Sequence, residues 1–463
     1  VNVPVEKNSS FSKELQQTLR SRHLLRTELS FSDEMIEWHI KNGYITAENS
    51  ISINKRRYRC NRCGQTDQRY FSFYHSSGKN KLYCRSCVMM GRVSEEVPLY
   101  SWKEENESNW KSIKLTWDGK LSSGQQKAAN VLIEAISKKE ELLIWAVCGA
   151  GKTEMLFPGI ESALNQGLRV CIATPRTDVV LELAPRLKAA FQGADISALY
   201  GGSDDKGRLS PLMISTTHQL LRYKDAIDVM IIDEVDAFPY SADQTLQFAV
   251  QKARKKNSTL VYLSATPPKE LKRKALNGQL HSVRIPARHH RKPLPEPRFV
   301  WCGNWKKKLN RNKIPPAVKR WIEFHIKEGR PVFLFVPSVS ILEKAAACFR
   351  GVHCRTASVH AEDKHRKEKV QQFRDGQLDL LITTTILERG VTVPKVQTGV
   401  LGAESPIFTE SALVQIAGRT GRHKEYADGD VIYFHFGKTK SMLDARKYIK
   451  EMNELAAKVE CTD

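Results

Sequence analysis

Gly149-Ala150-Gly151-Lys152-Thr153 is a loop built to hold a polyphosphate. Its glycines let backbone N–H groups close around a β-phosphate, and Lys152 neutralises β- and γ-phosphate charge. The Thr153 hydroxyl can ligate Mg2+. Asp233-Glu234 ends the apolar run Val229–Ile232 and supplies two carboxylates. Asp233 can hold the Mg2+ through water, and Glu234 can polarise an attacking water. A bare Asp-Glu pair is weak; following a phosphate loop at this distance it becomes specific. Asp236 completes a D-E-x-D tetrad and is expected to couple to Ser264-Ala265-Thr266. Gln415, Arg419 and Arg422 close the series within Gln-Ile-Ala-Gly-Arg-Thr-Gly-Arg. The two arginines sit at i and i+3, so they share a face if the segment is helical. No arginine in the first half of the chain is placed to stabilise a transferring γ-phosphoryl group. A second lobe that supplies two of them makes hydrolysis depend on lobe closure. Gln415 would orient water or the γ-phosphate. The chemistry implied is ATP hydrolysis at a nucleotide clamped between two lobes.

A second constellation carries metal chemistry. Cys60-Asn-Arg-Cys63 and Cys84-Arg-Ser-Cys87 are two C-x-x-C pairs about 20 residues apart, a spacing that resembles a zinc ribbon. Four thiolates around one Zn2+ make a closed, structural site. An iron–sulfur cluster and redox-active dithiols are the alternatives. Between the pairs, Tyr70 to Tyr74, Ser77-Gly78-Lys79-Asn80 and Leu82-Tyr83 read as a hairpin. Arg56, Arg57, Tyr58, Arg59, Arg62, Arg69 and Tyr70 surround the knuckles. They either contact a nucleic-acid backbone and stack bases or form the module's own small core.

These groups need a scaffold, and the hydrophobic pattern provides one. Leu142–Val147, Val170–Ala173, Leu212–Ser215, Val229–Ile232 and Leu260–Leu263 are short apolar runs suited to strands buried on both faces of a parallel sheet. Gln125–Ser137, Glu154–Gln166 and Val179–Gln192 read as the intervening helices. A second α/β pattern places strands at Val332–Val336, Leu378–Thr383, Thr398–Leu401 and Val431–Phe436, with a charged helix over His360–Arg374. Both carboxylates and phosphate loop then fall at strand carboxyl ends, where such sheets bind ligands. The fold class expected is α/β: two tandem RecA-like parallel-sheet lobes preceded by a small zinc-binding module. The expected divisions are an N-terminal helical interaction segment (1–52), the four-cysteine module (53–100), the ATP-binding lobe (101–285), a proline-rich basic linker (286–298) and the second lobe (299–463). In the first segment, Ser32-Asp33-Glu34 opening onto Met35-Ile36 and closing at Asn42-Gly43 reads as one capped helix.

Composition narrows the partners. Lys and Arg number 73 against 51 Asp and Glu, a formal net charge of +22. That excess favours a polyanion such as nucleic acid or an acidic membrane face over mere solubility. No apolar run reaches about 18 residues, so no membrane span is expected. The polar start, Val1 to Ser10, lacks a signal peptide's apolar core, so the cytosol is expected, with peripheral attachment to the membrane permitted by the charge. Ten cysteines in a cytosolic chain are not a disulfide framework.

Taken together, the motifs over residues 121 to 436 resemble superfamily 2 helicases and translocases with a D-E-x-D box. Ala146 at the head of the phosphate loop, in place of the usual glycine, fits helicase-type loops. The resemblance implies that Gln125 reads adenine through its amide, although simple helix capping is the alternative. It also implies that Arg176, Gly202, Thr216, Thr217 and Thr384, all after strand ends, line a nucleic-acid track, with Arg176 the leading phosphate contact. With the four-cysteine module in front, the arrangement resembles the ComFA-type late competence proteins of transformable Gram-positive bacteria. That resemblance implies an ATPase acting on incoming single-stranded DNA. It further implies a companion ComF-operon protein and the membrane DNA-uptake channel as partners. RNA helicases share the motor motifs, which touch mostly backbone and do not reveal a 2′-OH preference. Replication-restart helicases also combine such a motor with zinc binding, but their module interrupts the second lobe and carries more cysteines.

Overall fold

In a computed structural model of the chain, residues 11–55, 57–103, 110, 112–205, 207–350, 355–388 and 393–460 are described. Val1–Ser10, Arg56, Cys354, Cys461 and Arg389-Gly390-Val391 after Glu388 lie outside them, as does part of the connector around residue 105.

The first large sheet has seven parallel strands: β9 (Glu141–Ala146), β10 (Val170–Thr174), β11 (Ile196–Leu199), β12 (Leu212–Thr216), β13 (Ile227–Asp233), β14 (Arg254–Ser264) and β15 (His281–Ile285). These follow eight shorter strands of the N-terminal module, given below. Their order is β11-β12-β10-β13-β14-β9-β15. β10 and β12 are buried at every residue and β9 at all but Glu141, as their apolar runs require. Helices Ser123–Lys138, Phe157–Asn165 and Thr177–Ala190 cover one face. Helix Gln244–Ala253 and the N-terminal module cover the other. The second sheet is also all parallel, in the order β16-β21-β20-β17-β19-β18: β16 (Arg298–Trp301), β17 (Val332–Phe335), β18 (Thr356–Val359), β19 (Leu380–Thr383), β20 (Gln397–Leu401) and β21 (Val431–His435). The expected charged helix is shorter than the pattern suggests, Arg366–Arg374.

The N-terminal module is one knit unit. Strands β1 (Leu24–Leu25), β2 (Ile45–Glu48) and β8 (Leu99–Trp102) form an antiparallel sheet with β8 in the middle. The divisions drawn at 52/53 and 100/101 therefore cut through a sheet. Between β2 and β8 lie the pair β3 (Ile51–Asn54) and β4 (Arg57–Cys60) and the three-stranded β5 (Phe71–Ser76), β6 (Lys79–Cys84) and β7 (Val93–Ser94). The expected hairpin turns at Ser77-Gly78, both in the left-handed region. The expected capped helix runs Asp33–Lys41, with the Ser32 hydroxyl accepting from the Met35 N–H.

The module is pinned to the first lobe by charge as well as apolar contact. Arg222 and the fully buried Arg62 both donate to Glu28, at 2.6 and 2.9 Å. Lys252 of helix Gln244–Ala253 donates to the carbonyls of Arg62 (2.9 Å) and Leu221 (2.6 Å). Burial first, then Arg62, pushes the Lys252 amine down to about 7.

Candidate active site and metal centre

A cleft of about 660 Å³ opens between the two lobes. From the first lobe, Gly149, Gly151, Lys152, Thr153, Asp233 and Glu234 line it; from the second, Gln415, Arg419 and Arg422. The phosphate loop leaves β9 and runs into a 3-10 turn (Glu154–Leu156) and helix Phe157–Asn165, so its amides gather at a helix start. Gly149 and Gly151 take φ of +83° and +72°, and Ala150 between them is buried. Asp233 is the last residue of β13. Glu234 adopts φ +57°, a left-handed backbone that costs a glutamate about 1–2 kcal/mol. Strain of this kind collects at functional sites.

Asp236 does couple to the Ser264-Ala265-Thr266 turn. Its carboxylate accepts from Ser264 Oγ (2.6 Å) and Thr266 Oγ1 (2.8 Å). It also accepts from Ser411 Oγ of the second lobe (2.7 Å), a residue that no sequence motif singles out. Gln415 is buried in this network rather than open to water: its amide oxygen accepts from Cys148 Sγ (3.0 Å), and its Nε2 lies 3.4 Å from Thr266 Oγ1.

Arg419 and Arg422 are not on a helix. Helix Glu410–Ala417 ends at Gly418, and both arginines follow in a turn that still faces the cleft. Arg419 is fully buried and donates through Nε to the Glu388 carbonyl at 2.7 Å. Burial, reinforced by Arg422, pushes its pKa well below the usual arginine value. An anionic triphosphate in the cleft would relieve both effects. The linker contributes more than length. Arg288, pushed down to about 10 by burial, donates to the carbonyls of Gly421 and Thr420 in that turn. His289 donates its N–H to the Gly149 carbonyl at 3.0 Å. The linker thus touches the phosphate loop and the arginine turn together. Its basic run was visible in the sequence; its backbone partners were not.

Gly418 sets how closely the lobes meet. A Cβ built there would lie 2.5 Å from Cys148 Cβ, beside the phosphate loop. Gly418→Ala is therefore expected to hold the lobes apart and lower nucleic-acid-stimulated ATP turnover by about tenfold or more. Adding Cys148→Gly removes the clashing atoms and should recover part of the loss. Unchanged steady-state turnover in the single variant would show that this contact is not part of closure.

Several expected positions are placed otherwise. Gln125 is the third residue of a capping box with Ser122, and its Nε2 donates to the carbonyls of Ala150 (3.0 Å) and Gly151 (3.2 Å). It braces the phosphate loop from a place in the cleft lining, the capping role with an added tether. Thr216 and Thr217 are buried at the end of β12, packed beside β10, so neither hydroxyl reaches the surface. Gly202, at φ +84°, has open space around it, and Thr384 is half-buried. Arg176 crosses between lobes, donating to the Ile386 carbonyl (3.2 Å) and pairing with Glu388 (3.4 Å). In this closed arrangement it serves as an inter-lobe contact.

The four cysteines come together in an arrangement that could hold the expected metal ion. Their sulfurs all lie within 4.8 Å of one another and all four residues are buried. Cys60 and Cys87 sulfurs are 3.9 Å apart, Cys63 and Cys84 3.7 Å. Zn–S bonds of about 2.3 Å put tetrahedral sulfurs about 3.8 Å apart, so the cluster fits Zn2+ without adjustment. Arg62 is buried against Glu28, which removes it from the candidate nucleic-acid contacts, whereas Arg57, Arg59, Arg69 and Tyr70 are exposed. Tyr58 packs on Phe71 as core. The cysteines share one apolar cluster with Met213, Leu220 and Leu246 of the first lobe. Structural zinc contributes on the order of 10 kcal/mol to folding. Cys84→Ala is thus expected to lose bound zinc, measured by elemental analysis, together with soluble yield. A variant that stays folded and metal-replete would refute the four-cysteine assignment.

Three family models match successive parts of the chain. Residues 7–101 match the competence protein ComFA N-terminal domain, residues 122–274 the DEAD/DEAH box helicase domain, and residues 315–424 the helicase conserved C-terminal domain. The helicase domains imply an ATP-hydrolysing, helicase-type enzyme using ATP and Mg2+. The chain is 99% identical to competence protein ComFA of Bacillus subtilis (strain 168) over 463 residues, all of both chains. It is 39% identical to competence protein ComFA of Streptococcus pneumoniae (strain ATCC BAA-255 / R6) over 376 residues, covering 81% of this chain and 86% of the relative. Among solved structures, S. cerevisiae Dbp5 bound to RNA and ADP BeF3 superposes with a TM-score of 0.54 at 16% identity, covering 73% of this chain and 94% of the other. RecG bound to a three-way DNA junction gives 0.52 at 18%, covering 74% and 47%. At those identities the structures establish two RecA-like lobes and nothing finer.

Proposed function

The chain belongs to the ComFA family of competence proteins, and from that premise we propose that it is an ATP-driven motor that tracks along single-stranded DNA and draws transforming DNA across the cytoplasmic membrane. The observation that carries this reading is the single cleft shared by Lys152 and Glu234 of one lobe and Arg419 and Arg422 of the other. In it, Gly149, Ala150 and Gly151 cradle the β-phosphate and Lys152 neutralises the β- and γ-oxygens. Thr153, and Asp233 through water, would hold Mg2+, which would supply neutralising charge to the phosphates. Glu234 takes a proton from the attacking water. The bond between that oxygen and the γ-phosphorus forms as the bond to the β–γ bridging oxygen breaks, leaving ADP. Arg419 and Arg422 stabilise the charge that spreads over the γ-oxygens, and Gln415 orients the γ-phosphate after leaving Thr266. Asp236, joined to both Thr266 and Ser411, carries the state of the site to the track.

On the track, Arg176, Gly202 and Thr384 hold backbone phosphates, Arg176 after release from Glu388; Thr216 and Thr217 contribute when the lobes part. The net charge of +22 supports a polyanionic substrate. No helix among the described residues is long and apolar enough to cross a membrane. We place the motor on the cytoplasmic side, peripheral to the membrane, with a companion ComF-operon protein and the uptake channel as partners. The zinc module stabilises the first lobe and adds to DNA binding.

ATP hydrolysis measured alone and with single-stranded DNA, duplex DNA or RNA tests the proposal. Stimulation by single-stranded DNA well above the others is the expected result. Equal or better stimulation by RNA would replace it with an RNA-helicase reading.

A further inference from the structure

A second groove, about 830 Å³, lies between the zinc module and the loop that follows Asp236. Arg69, Tyr70, Tyr83 and Arg85 line it from the module, Phe238 and Pro239 from the loop. Phe238 is 73% exposed and Tyr70 is 47% exposed. Large rings are left in water on the rim of a groove chiefly where something packs on them. Arg85 stands beside them, exposed, Arg69 is there paired with Asp67, and the neighbouring β3–β4 hairpin adds Lys55, Arg57 and Arg59 on the surface. The two carboxylates in the lining are already engaged: Asp67 with Arg69 and its own turn, Asp243 as cap of helix Gln244–Ala253. Aromatic faces with cations alongside are what unpaired bases and their phosphates require.

The location agrees. Helix Gln244–Ala253, whose first residues line the groove, packs on the turn Gln219–Arg222 that follows the carboxyl end of β12. The groove therefore adjoins the sheet edge that forms the track. Its loop wall starts two residues beyond Asp236, the carboxylate tied to Ser264, Thr266 and Ser411.

We propose that this groove is a second binding site for single-stranded DNA, an extension of the track in which Phe238 and Tyr70 stack one or two bases. It rests on the single-stranded DNA reading above. Because its loop wall continues from the D-E-x-D segment, the site is mechanically joined to the ATP cleft. It is distinct from the motif residues at the lobe interface, none of which lines it.

The test uses the full chain with bound zinc and end-labelled oligothymidylates of about 6 and about 20 nucleotides. Phe238→Ala and Tyr70→Ala are each expected to weaken binding of the longer oligomer about 10-fold, with the shorter one unaffected and Phe238→Trp close to wild type. Arg85→Ala, at an exposed position, should flatten the salt dependence for the longer oligomer alone. A 20-nucleotide strand carrying 5-iododeoxyuridine should photo-crosslink to a peptide containing Tyr70, Tyr83 or Phe238. Tight wild-type binding with unchanged affinity in all three groove variants, and crosslinks only at the lobes, overturns the groove while leaving the motor reading intact. Such a result would reserve the surface for a protein partner. A wild-type protein that binds neither oligomer overturns both.

Discussion

Arg419→Ala is expected to slow DNA-stimulated ATP turnover by at least about 1000-fold while ATP still binds. Arg419 comes from the lobe opposite the phosphate loop and lines the same cleft. Its stabilising effect grows as charge spreads over the γ-oxygens, so removing it should fall on kcat rather than on ATP affinity. The side chain is also buried and bonded to the Glu388 carbonyl, so alanine leaves a cavity and an unsatisfied acceptor. Arg422→Ala separates chemistry from folding: Arg422 is less buried, and its loss is expected to cost about 100-fold with little change in melting temperature. Arg419→Lys keeps charge but not the planar fork and should remain defective. Steady-state ADP release and fluorescent-nucleotide binding decide the matter. Turnover within tenfold of wild type in folded Arg419→Ala would remove the second lobe from the chemistry.

The second large effect is at Lys152. Lys152→Ala should reduce turnover on the order of 1000-fold, since an ammonium beside two phosphates is the main cation of the first lobe's cradle. Oligothymidylate affinity should stay within about twofold, because Lys152 lies in the inter-lobe cleft and the track residues lie at other strand ends. Hydrolysis and DNA binding lost in equal measure by a folded variant would mean that the two sites are not separate. The two variants also differ in kind: Lys152→Ala should weaken ATP binding, Arg419→Ala should not.

Most of the scaffold was legible because inner strands of a parallel sheet must be apolar on both faces. Leu142–Val147, Val170–Ala173, Val229–Ile232 and Leu260–Leu263 are all such strands. In the two large sheets the strands that pattern reading missed are β11, β15, β16 and β18, and these are their four edges. An edge strand has solvent to accommodate, so β15 reads His-Ser-Val-Arg-Ile, with exposed and buried positions interleaved. The site shows a parallel split. Residues whose chemistry is in the side chain, such as Lys152, Glu234 and the four cysteines, announce themselves by type and spacing. Arg288 and His289 work through carbonyls of Gly421, Thr420 and Gly149, partners that no residue type signals. Gln125 carried both possible roles in one side chain, and its bonds to Ser122 and Ala150 show the capping one. Arg62 looked like a surface cation until Glu28 was seen beside it.

Closure through Gly418, Ser411 and the arginine turn is useful to a motor only if each cycle moves DNA. The measurement that tests this most directly is pre-steady-state translocation on end-labelled oligothymidylates of increasing length. An ATP-dependent signal is expected whose delay grows linearly with oligomer length and which disappears in Lys152→Ala. A signal independent of length, or one equally produced with ADP, would contradict it.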